Sequence, residues 1–104
     1  MNKIKVTEFS DGGHGWLSVP RKLLKELQIE DKITSFSYEK GNRVYLEEDY
    51  DLSNFYTAFF NKQGHVLTSD NFQALKGQYF EVKRSYSDRS PIRSYYRYTF
   101  KSEV

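Results

Sequence analysis

Residues 14–51 constrain the fold most, because strand and helix signals alternate there within a short length of chain. Residues 16–19 have the composition of a short strand. Pro20 follows where a helix would begin, a position that tolerates the missing N–H and fixed φ of proline. Three leucines within residues 23–27 then form an apolar stripe. These residues predict a strand followed by a helix of about two turns that ends before Ile29.

The second half of this stretch predicts a hairpin and a longer helix. Residues 33–38 are rich in β-branched and aromatic side chains, residues 40–43 form a glycine-containing turn, and residues 44–46 return as a strand. An acidic run then precedes residues 52–60, whose apolar side chains keep helical spacing. Carboxylates interact favourably with the positive amino-terminal end of a helix, so the sequence indicates this second helix more strongly than the first. We expect it to end at Gly64.

The flanking segments add strands. Residues 3–9 alternate between apolar and polar side chains, which predicts a half-buried strand. Residues 65–68 predict a short strand, and residues 69–77 a helical turn stopped by the glycine at its end. Residues 79–86 and 95–100 alternate again, and a loop containing proline separates them. We therefore expect a long hairpin at the end of the chain.

Length and composition bound the architecture. A chain of 104 residues suffices for one domain and is too short for two. The elements predict an α+β fold, with five or six strands in an antiparallel or mixed sheet and two main helices against one face. The chain has no cysteine, which excludes disulfides and cysteine nucleophiles and fits a reducing cytosol. The amino-terminal residues lack the apolar run of a signal peptide, and no stretch reaches the roughly 20 apolar residues of a membrane span. We expect a cytoplasmic protein without a membrane partner.

Charge is segregated along the chain although its sum is small. The net charge of +2 does not by itself indicate nucleic-acid binding. Residues 24–51 carry eight acidic and four basic side chains, a net of −4. Residues 78–104 carry six basic and three acidic side chains, a net of +3. The sequence thus predicts two surfaces of opposite charge.

The basic carboxyl-terminal segment interleaves arginine with tyrosine. Arginine clamps phosphate with two donors and tyrosine stacks on bases, so the pattern fits RNA or single-stranded DNA. Exposed arginine and tyrosine fit a protein partner equally well. A solvent-facing hairpin whose tyrosines line a small core is a third interpretation, and the more common one. The candidate contact residues are Arg84, Tyr86, Arg89, Arg93, Tyr95, Tyr96, Arg97 and Tyr98.

The acidic run predicts a second candidate surface, formed by Glu47, Glu48, Asp49 and Asp51. Carboxylates are hard ligands for Mg²⁺ or Ca²⁺, but the run lacks the spaced acids and the glycine of a calcium loop. A solvated helix entrance is the simpler interpretation. The run also resembles a short row of phosphates that a basic groove on another protein would accept. We expect no metal here.

No motif in the chain predicts an enzyme. His14 lies in a glycine-rich turn and His65 follows a glycine, and neither has a nucleophile or paired carboxyl nearby in sequence. Residues 12–15 are glycine-rich but lack the lysine and hydroxyl residue of a phosphate loop. Catalysis is therefore the weakest functional class, and we expect no catalytic residues and no cofactor.

Residues 14–51 resemble a group of short proteins carried by bacterial phages, plasmids and integrative elements. The motifs HGWL, DKI-S-SY and YLEED-D carry this resemblance, which covers about a third of the chain. It implies an accessory protein of a mobile element. Small proteins of that setting often bind and inhibit host defence systems, anti-CRISPR proteins among them. The resemblance thus implies a protein or ribonucleoprotein as the partner.

A second resemblance is to AbrB-like swapped-hairpin DNA-binding domains. The matching residues are Val19, Pro20, Arg21, Leu23, Leu27, Ile29, Asp31, Lys32, Ile33, Gly41, Val44, Tyr45 and Leu46. Gln28 stands where that pattern has glycine, and the link before Asp31 is shorter. This resemblance implies a dimeric DNA-binding regulator in which Arg21 and Lys22 contact phosphates. The acids that follow the hairpin do not favour such binding.

Overall fold

A computed structural model describes residues 2–88 and 90–101, which form a six-stranded sheet and three α-helices. The strands are β1 (Ile4–Ser10), β2 (Gly15–Pro20), β3 (Tyr38–Lys40), β4 (Arg43–Glu47), β5 (Phe80–Tyr86) and β6 (Tyr96–Arg97). The helices are α1 (Arg21–Glu26), α2 (Asp51–Lys62) and α3 (Phe72–Tyr79), and the 3-10 turns are Glu30–Lys32 and Pro91–Ser94.

The strand order in the sheet is β5-β1-β2-β4-β3-β6. The β1 and β5 strands pair in parallel, and the other neighbours pair antiparallel. The predicted α+β class, with a mixed sheet of about six strands and two main helices, is confirmed. The hairpin of β3 and β4 also forms as predicted, and Gly41 in its turn has a φ of 60°, which glycine adopts without strain.

The main core lies between one face of the sheet and the helices. Alternate residues of the inner strands, such as Leu17 and Leu46, point to this face and are fully buried. The α2 helix buries a continuous aromatic stripe that packs on Phe80 of β5, and the ring centroids of Phe59 and Phe80 are 4.8 Å apart. Burying an aromatic side chain removes about 150–250 Å² from water, so this stripe holds α2 on the sheet. The fully or nearly buried α2 residues of the stripe are Phe55, Tyr56, Phe59 and Phe60.

The opposite face of the sheet carries a second, smaller core. The chain leaves β5 at one edge and reaches β6 at the other, and the packing of Ile92 shows that it passes across this face. We call residues 90–95 the crossing segment. Its Ile92 is fully buried and packs with Trp16 and Tyr38, and the rings of Tyr95 and Tyr45 lie 5.0 Å apart. The crossing segment therefore covers part of a face that would otherwise expose aromatic rings.

The predicted terminal hairpin is wrong, because β5 and β6 lie at opposite edges of the sheet. In the parallel pair of β5 with β1, Phe80 lies beside Ile4 and Val82 beside Val6, so the apolar residues of both strands share the helix-covered face. Alternation identifies a strand and its buried face, but it does not identify the partner. The last strand is also shorter than predicted, with two residues in place of 95–100.

Three further local predictions differ from the structure. Residues 33–37 do not form a strand, because Thr34 and Ser37 donate hydrogen bonds to Asp51 in place of a neighbouring strand. Residues 65–68 are irregular, since the N–H of Thr68 donates to the side chain of Asn71 just before α3. The α3 helix continues through its glycine to Tyr79, two residues beyond the predicted stop.

The turn after α1 follows the Schellman pattern of hydrogen bonds. The N–H of Gln28 donates to the carbonyl of Lys25 at 3.0 Å, and the N–H of Ile29 to that of Leu24 at 3.1 Å. This geometry requires a left-handed residue, and Gln28 has a φ of 58°. An L-residue with a side chain adopts this conformation at a cost that glycine avoids.

Replacing Gln28 by glycine is expected to raise the free energy of unfolding by about 0.5–1 kcal/mol, because it removes left-handed strain. Gln28→Ala is the control, since it also removes the side chain but keeps the strain. Urea unfolding followed by circular dichroism would measure both variants. Equal destabilisation by glycine and alanine would show that contacts of the glutamine side chain outweigh backbone strain.

Candidate functional site

A pocket of about 360 Å³ opens on the second face of the sheet, beside the crossing segment. We call it the aromatic pocket. Its lining residues are His14, Trp16, Phe36, Tyr38, Glu47, Asp49, Tyr50, Arg93 and Arg97. Its volume falls within the range of about 300–1,000 Å³ that is usual for ligand sites.

Strand register places the floor of this pocket. Trp16 of β2 lies opposite Glu47 of β4, and Tyr38 of β3 lies opposite Arg97 of β6. Directly paired residues point to the same face, so all four side chains are on the side away from the helices. The rings of Trp16 and Tyr38 are nearly buried and meet edge to face, with centroids 6.2 Å apart. They form a rigid aromatic base.

Each ring of this base carries an arginine. The guanidinium carbon of Arg93 lies 5.3 Å from the Trp16 ring centroid, and that of Arg97 lies 4.7 Å from the Tyr38 ring centroid. Arg97 also donates to the carbonyl of Ser35 at 3.1 Å. Stacking on aromatic rings together with hydrogen bonds restricts both guanidinium groups.

Asp11 fixes the crossing segment to the turn between β1 and β2. Its carboxylate accepts two hydrogen bonds from Arg93, at 2.8 and 3.3 Å. It also accepts from the backbone N–H groups of Gly13 and His14. The hydrogen bonds from Arg93 and then from Gly13 hold the pKa of Asp11 well below its usual value. Asp11 thus connects a turn and a distant segment of the chain through one ion pair.

We expect the stability of the protein to fall more steeply in acid than that of Asp11→Asn. The usual pKa of aspartate is 3.8, and in the folded protein the pKa of Asp11 is lower. Above about pH 4 the stabilisation by this ionised carboxylate is therefore present in full. As the pH falls further, Asp11 is protonated in the unfolded chain before it is protonated in the folded protein. The stabilisation therefore declines, and it is lost once the pH falls through the pKa of Asp11 in the folded protein.

Urea unfolding between about pH 6 and pH 3 would measure this difference. Asp49→Asn is the control and should keep the wild-type profile, because within the described residues Asp49 forms no ion pair. Parallel profiles for the wild type and Asp11→Asn would contradict the expectation.

Acidic and aromatic side chains form the mouth of the pocket. Glu47 accepts a hydrogen bond from the backbone N–H of Tyr50 at 3.3 Å, and its own N–H donates to Ser37 at 2.9 Å. Asp49 is exposed. Phe36 and Tyr50 are 65% and 57% exposed, so two aromatic rings of the pocket lining face solvent.

The structure divides the predicted acidic surface. Glu47 and Asp49 line the aromatic pocket, and Glu48 is exposed beside them. Asp51, however, is fully buried, so its assignment to the acidic surface is wrong. Its carboxylate accepts hydrogen bonds from Thr34 and Ser37, which hold it inside the fold. Within the described part of the chain, no three histidine or acidic side chains form a group that could hold a metal ion.

The predicted arginine and tyrosine residues do not form one surface. Arg84 and Tyr86 lie on β5 at one edge, and Tyr96 and Arg97 lie on β6 at the other, with Arg93 and Tyr95 between them on the crossing segment. Arg89 lies outside the described residues. These positions follow from the separate edges of β5 and β6 and not from any local pattern.

Tyr98 was predicted to contact a partner, but it is buried. Its hydroxyl donates to the carbonyl of Glu30 at 2.7 Å. Burial is the largest cause that raises the pKa of Tyr98 to about 12, and the nearby carboxylate of Glu30 adds to it. Tyr98 therefore anchors the end of the described chain and contributes to the main core.

The structure thus brings together parts of both predicted surfaces with residues that were not predicted. Arg93 and Arg97 meet Glu47 and Asp49 in the aromatic pocket, where the charged segments of the chain converge. The additional lining residues are His14, Trp16, Phe36, Tyr38 and Tyr50. The HGWL and YLEED motifs could have indicated part of the pocket from the sequence, since each contributes two lining side chains. Phe36 gave no such signal, because the segment around it was predicted to be a strand.

The chain matches no protein-family model, no curated protein sequence and no solved structure. In residues 2–88 and 90–101, no helix has the length and apolar character needed to cross a membrane.

Proposed function

We propose that this chain is a non-enzymatic binding protein that occupies a surface on a partner protein or ribonucleoprotein, with the aromatic pocket at the centre of the contact. The observation that carries this proposal is the exposure of Phe36 and Tyr50 at the mouth of a pocket with a rigid base. Aromatic and arginine side chains dominate the binding energy of protein interfaces, and rigid side chains lose little entropy on binding.

A protein surface fits this site better than a nucleic-acid backbone does. Arg84 donates to Glu8 at 3.0 Å and Arg93 to Asp11 at 2.8 Å, so two predicted phosphate clamps already have carboxylate partners. Glu47 and Asp49 in the pocket would repel phosphates. Aromatic and arginine side chains are enriched in the core of protein interfaces, and the rim around that core is polar.

The biological setting of this proposal rests on the resemblance to accessory proteins of phages and plasmids. In that setting the partner is a host defence protein or ribonucleoprotein, and the chain acts as an inhibitor of the anti-CRISPR type. The lack of cysteine fits action in the cytoplasm. All three motifs behind the resemblance contribute residues to the aromatic pocket, which supports a role for that pocket in function.

The test is capture of a partner from a bacterial lysate by the tagged protein and by pocket variants. Phe36→Ala and Tyr50→Ala should each weaken a captured interaction at least about tenfold, as loss of a central aromatic contact does. Val66→Ala is the control, because Val66 is 78% exposed and does not line the pocket. Unchanged capture by both pocket variants would contradict the proposal, as would tight, salt-sensitive binding to DNA or RNA in its place.

The second candidate is an AbrB-like dimeric DNA-binding regulator. The observation that favours it is the left-handed conformation of Gln28, at the position where that pattern has glycine. Lys22 is exposed, but Arg21 donates to Glu39 at 3.0 Å. This candidate predicts a dimer by light scattering and a DNA affinity that falls steeply with salt. A monomer without a mobility shift on DNA would remove it.

A further inference from the structure

We infer that the aromatic pocket receives a basic side chain, a lysine or arginine, from the partner. This inference rests on the proposed function and specifies the chemistry of the contact. It follows from the charges that stay unmatched in the pocket, from the two unoccupied aromatic rings at its mouth, and from its size.

The unmatched charge in the pocket is negative. Arg93 is neutralised by Asp11, which accepts two of its hydrogen bonds. Arg97 donates to a neutral carbonyl and keeps its charge. Within the described residues, the carboxylates of Glu47 and Asp49 form no ion pair. Two carboxylates without an ion pair therefore face one guanidinium without an ion pair, and a cationic group is favoured over an anionic one.

The aromatic rings show where such a cation would lie. The buried rings of Trp16 and Tyr38 each already carry an arginine of this chain. The exposed rings of Phe36 and Tyr50 contact no cation and no other ring among the described residues. A lysine or arginine between these rings and the carboxylates would gain both cation–π and ionic contacts.

The size of the pocket admits a long basic side chain. Its volume of about 360 Å³ lies near the lower end of the range for ligand sites, which is about 300–1,000 Å³. A long basic side chain can extend its methylene groups along the aromatic walls while its charged end reaches the carboxylates. Glu47 and Asp49 would then select a basic segment of the partner's surface.

Trp16 provides a direct readout, because it is the only tryptophan of the chain and lies at the base of the pocket. The probes are three short peptides of equal length with blocked ends, in which serine alternates with lysine, arginine or glutamate. Inorganic phosphate is a fourth probe. We expect the lysine and arginine peptides to shift the indole N–H resonance and the fluorescence of Trp16 in a saturable way, and the glutamate peptide and phosphate to have no effect.

Variants that remove one carboxylate charge show whether the basic peptides bind in the aromatic pocket. Glu47→Gln and Asp49→Asn should each weaken binding of the basic peptides about fivefold or more, because each keeps its shape and loses one carboxylate charge. Glu81→Gln is the matched control, since it removes an exposed acid on β5 outside the pocket. Saturable shifts by the glutamate peptide or by phosphate would overturn the inference, and so would equal binding of basic peptides to all three variants.

The inference and the proposed function can fail separately. If Phe36→Ala and Tyr50→Ala abolish partner capture while Glu47→Gln and Asp49→Asn leave it unchanged, the proposed function stands and the basic side chain is wrong. If the basic peptides bind at Trp16 but every pocket variant captures the partner as the wild type does, the pocket binds a basic side chain and the proposed contact surface is wrong.

Discussion

Replacing Asp51 by alanine is expected to destabilise the fold by about 3–5 kcal/mol, because buried donors would lose their acceptor. The Asp51 carboxylate is fully buried and accepts three kinds of hydrogen bond. The backbone N–H of Thr34 donates at 3.1 Å, the hydroxyl of Thr34 at 2.7 Å and the hydroxyl of Ser37 at 2.5 Å. These bonds hold the segment before β3 against the first turn of α2. Alanine would leave a cavity and three unpartnered donors.

Asp51→Asn refines this expectation. It keeps the volume but replaces one acceptor oxygen by a donor, and we expect a loss of about 1.5–3 kcal/mol. Urea unfolding followed by circular dichroism would measure both variants. Asp49→Asn is the matched control, since it removes an exposed acid two residues away and should change stability by less than about 0.5 kcal/mol. Similar effects at Asp49 and Asp51 would contradict the structural role of Asp51.

Replacing Ile92 by alanine is expected to cost about 2–4 kcal/mol, because it opens a cavity beneath the crossing segment. Ile92 is fully buried and packs with Trp16 and Tyr38, and among the described residues it is the one aliphatic side chain of the second core. The loss should act mainly on the crossing segment, which would keep the Asp11 to Arg93 ion pair, the stacking of Arg93 on Trp16 and the contact between the Tyr95 and Tyr45 rings. The aromatic pocket would lose its fixed geometry before the main core unfolds.

Hydrogen exchange separates this local effect from general destabilisation. The amide of Tyr95, which donates to the carbonyl of Ile92 at 2.9 Å, should exchange faster in Ile92→Ala. The amide of Phe59 in α2 should change less. Val66→Ala is the control for losing an aliphatic side chain, because Val66 is exposed. Equal acceleration at Tyr95 and Phe59 would show that the crossing segment does not open independently.

Local patterns account for the elements that the sequence predicted well. The alternation in β1 and β5, the proline before α1 and the helical spacing in α2 each act over a few neighbouring residues. The sequence also indicated the turn at Gly41, where glycine adopts a positive φ without strain. Each of these signals can be read from the residues of the segment itself.

The candidate site was predictable only in part. Arginine, tyrosine and acidic residues were predicted as contact residues, and four of these residues line the aromatic pocket. Their grouping was wrong, because the sequence placed them on two separate surfaces. Phe36 and Tyr50 were missed, since neither the exposure nor the neighbours of an aromatic side chain can be read from the residues beside it.

The sequence by itself determined most of the strands and helices, the buried faces of β1 and α2 and the absence of cysteine chemistry, but it also predicted strand at residues 33–37 and 65–68, where none forms. Only the tertiary structure decided which strands pair, that Asp51 is buried, and that two charged segments meet at one pocket. The physical reason is that periodicity records burial but not partners. Strand order, by contrast, depends on contacts between distant residues, such as Ile92 with Trp16, which form only when the whole chain packs.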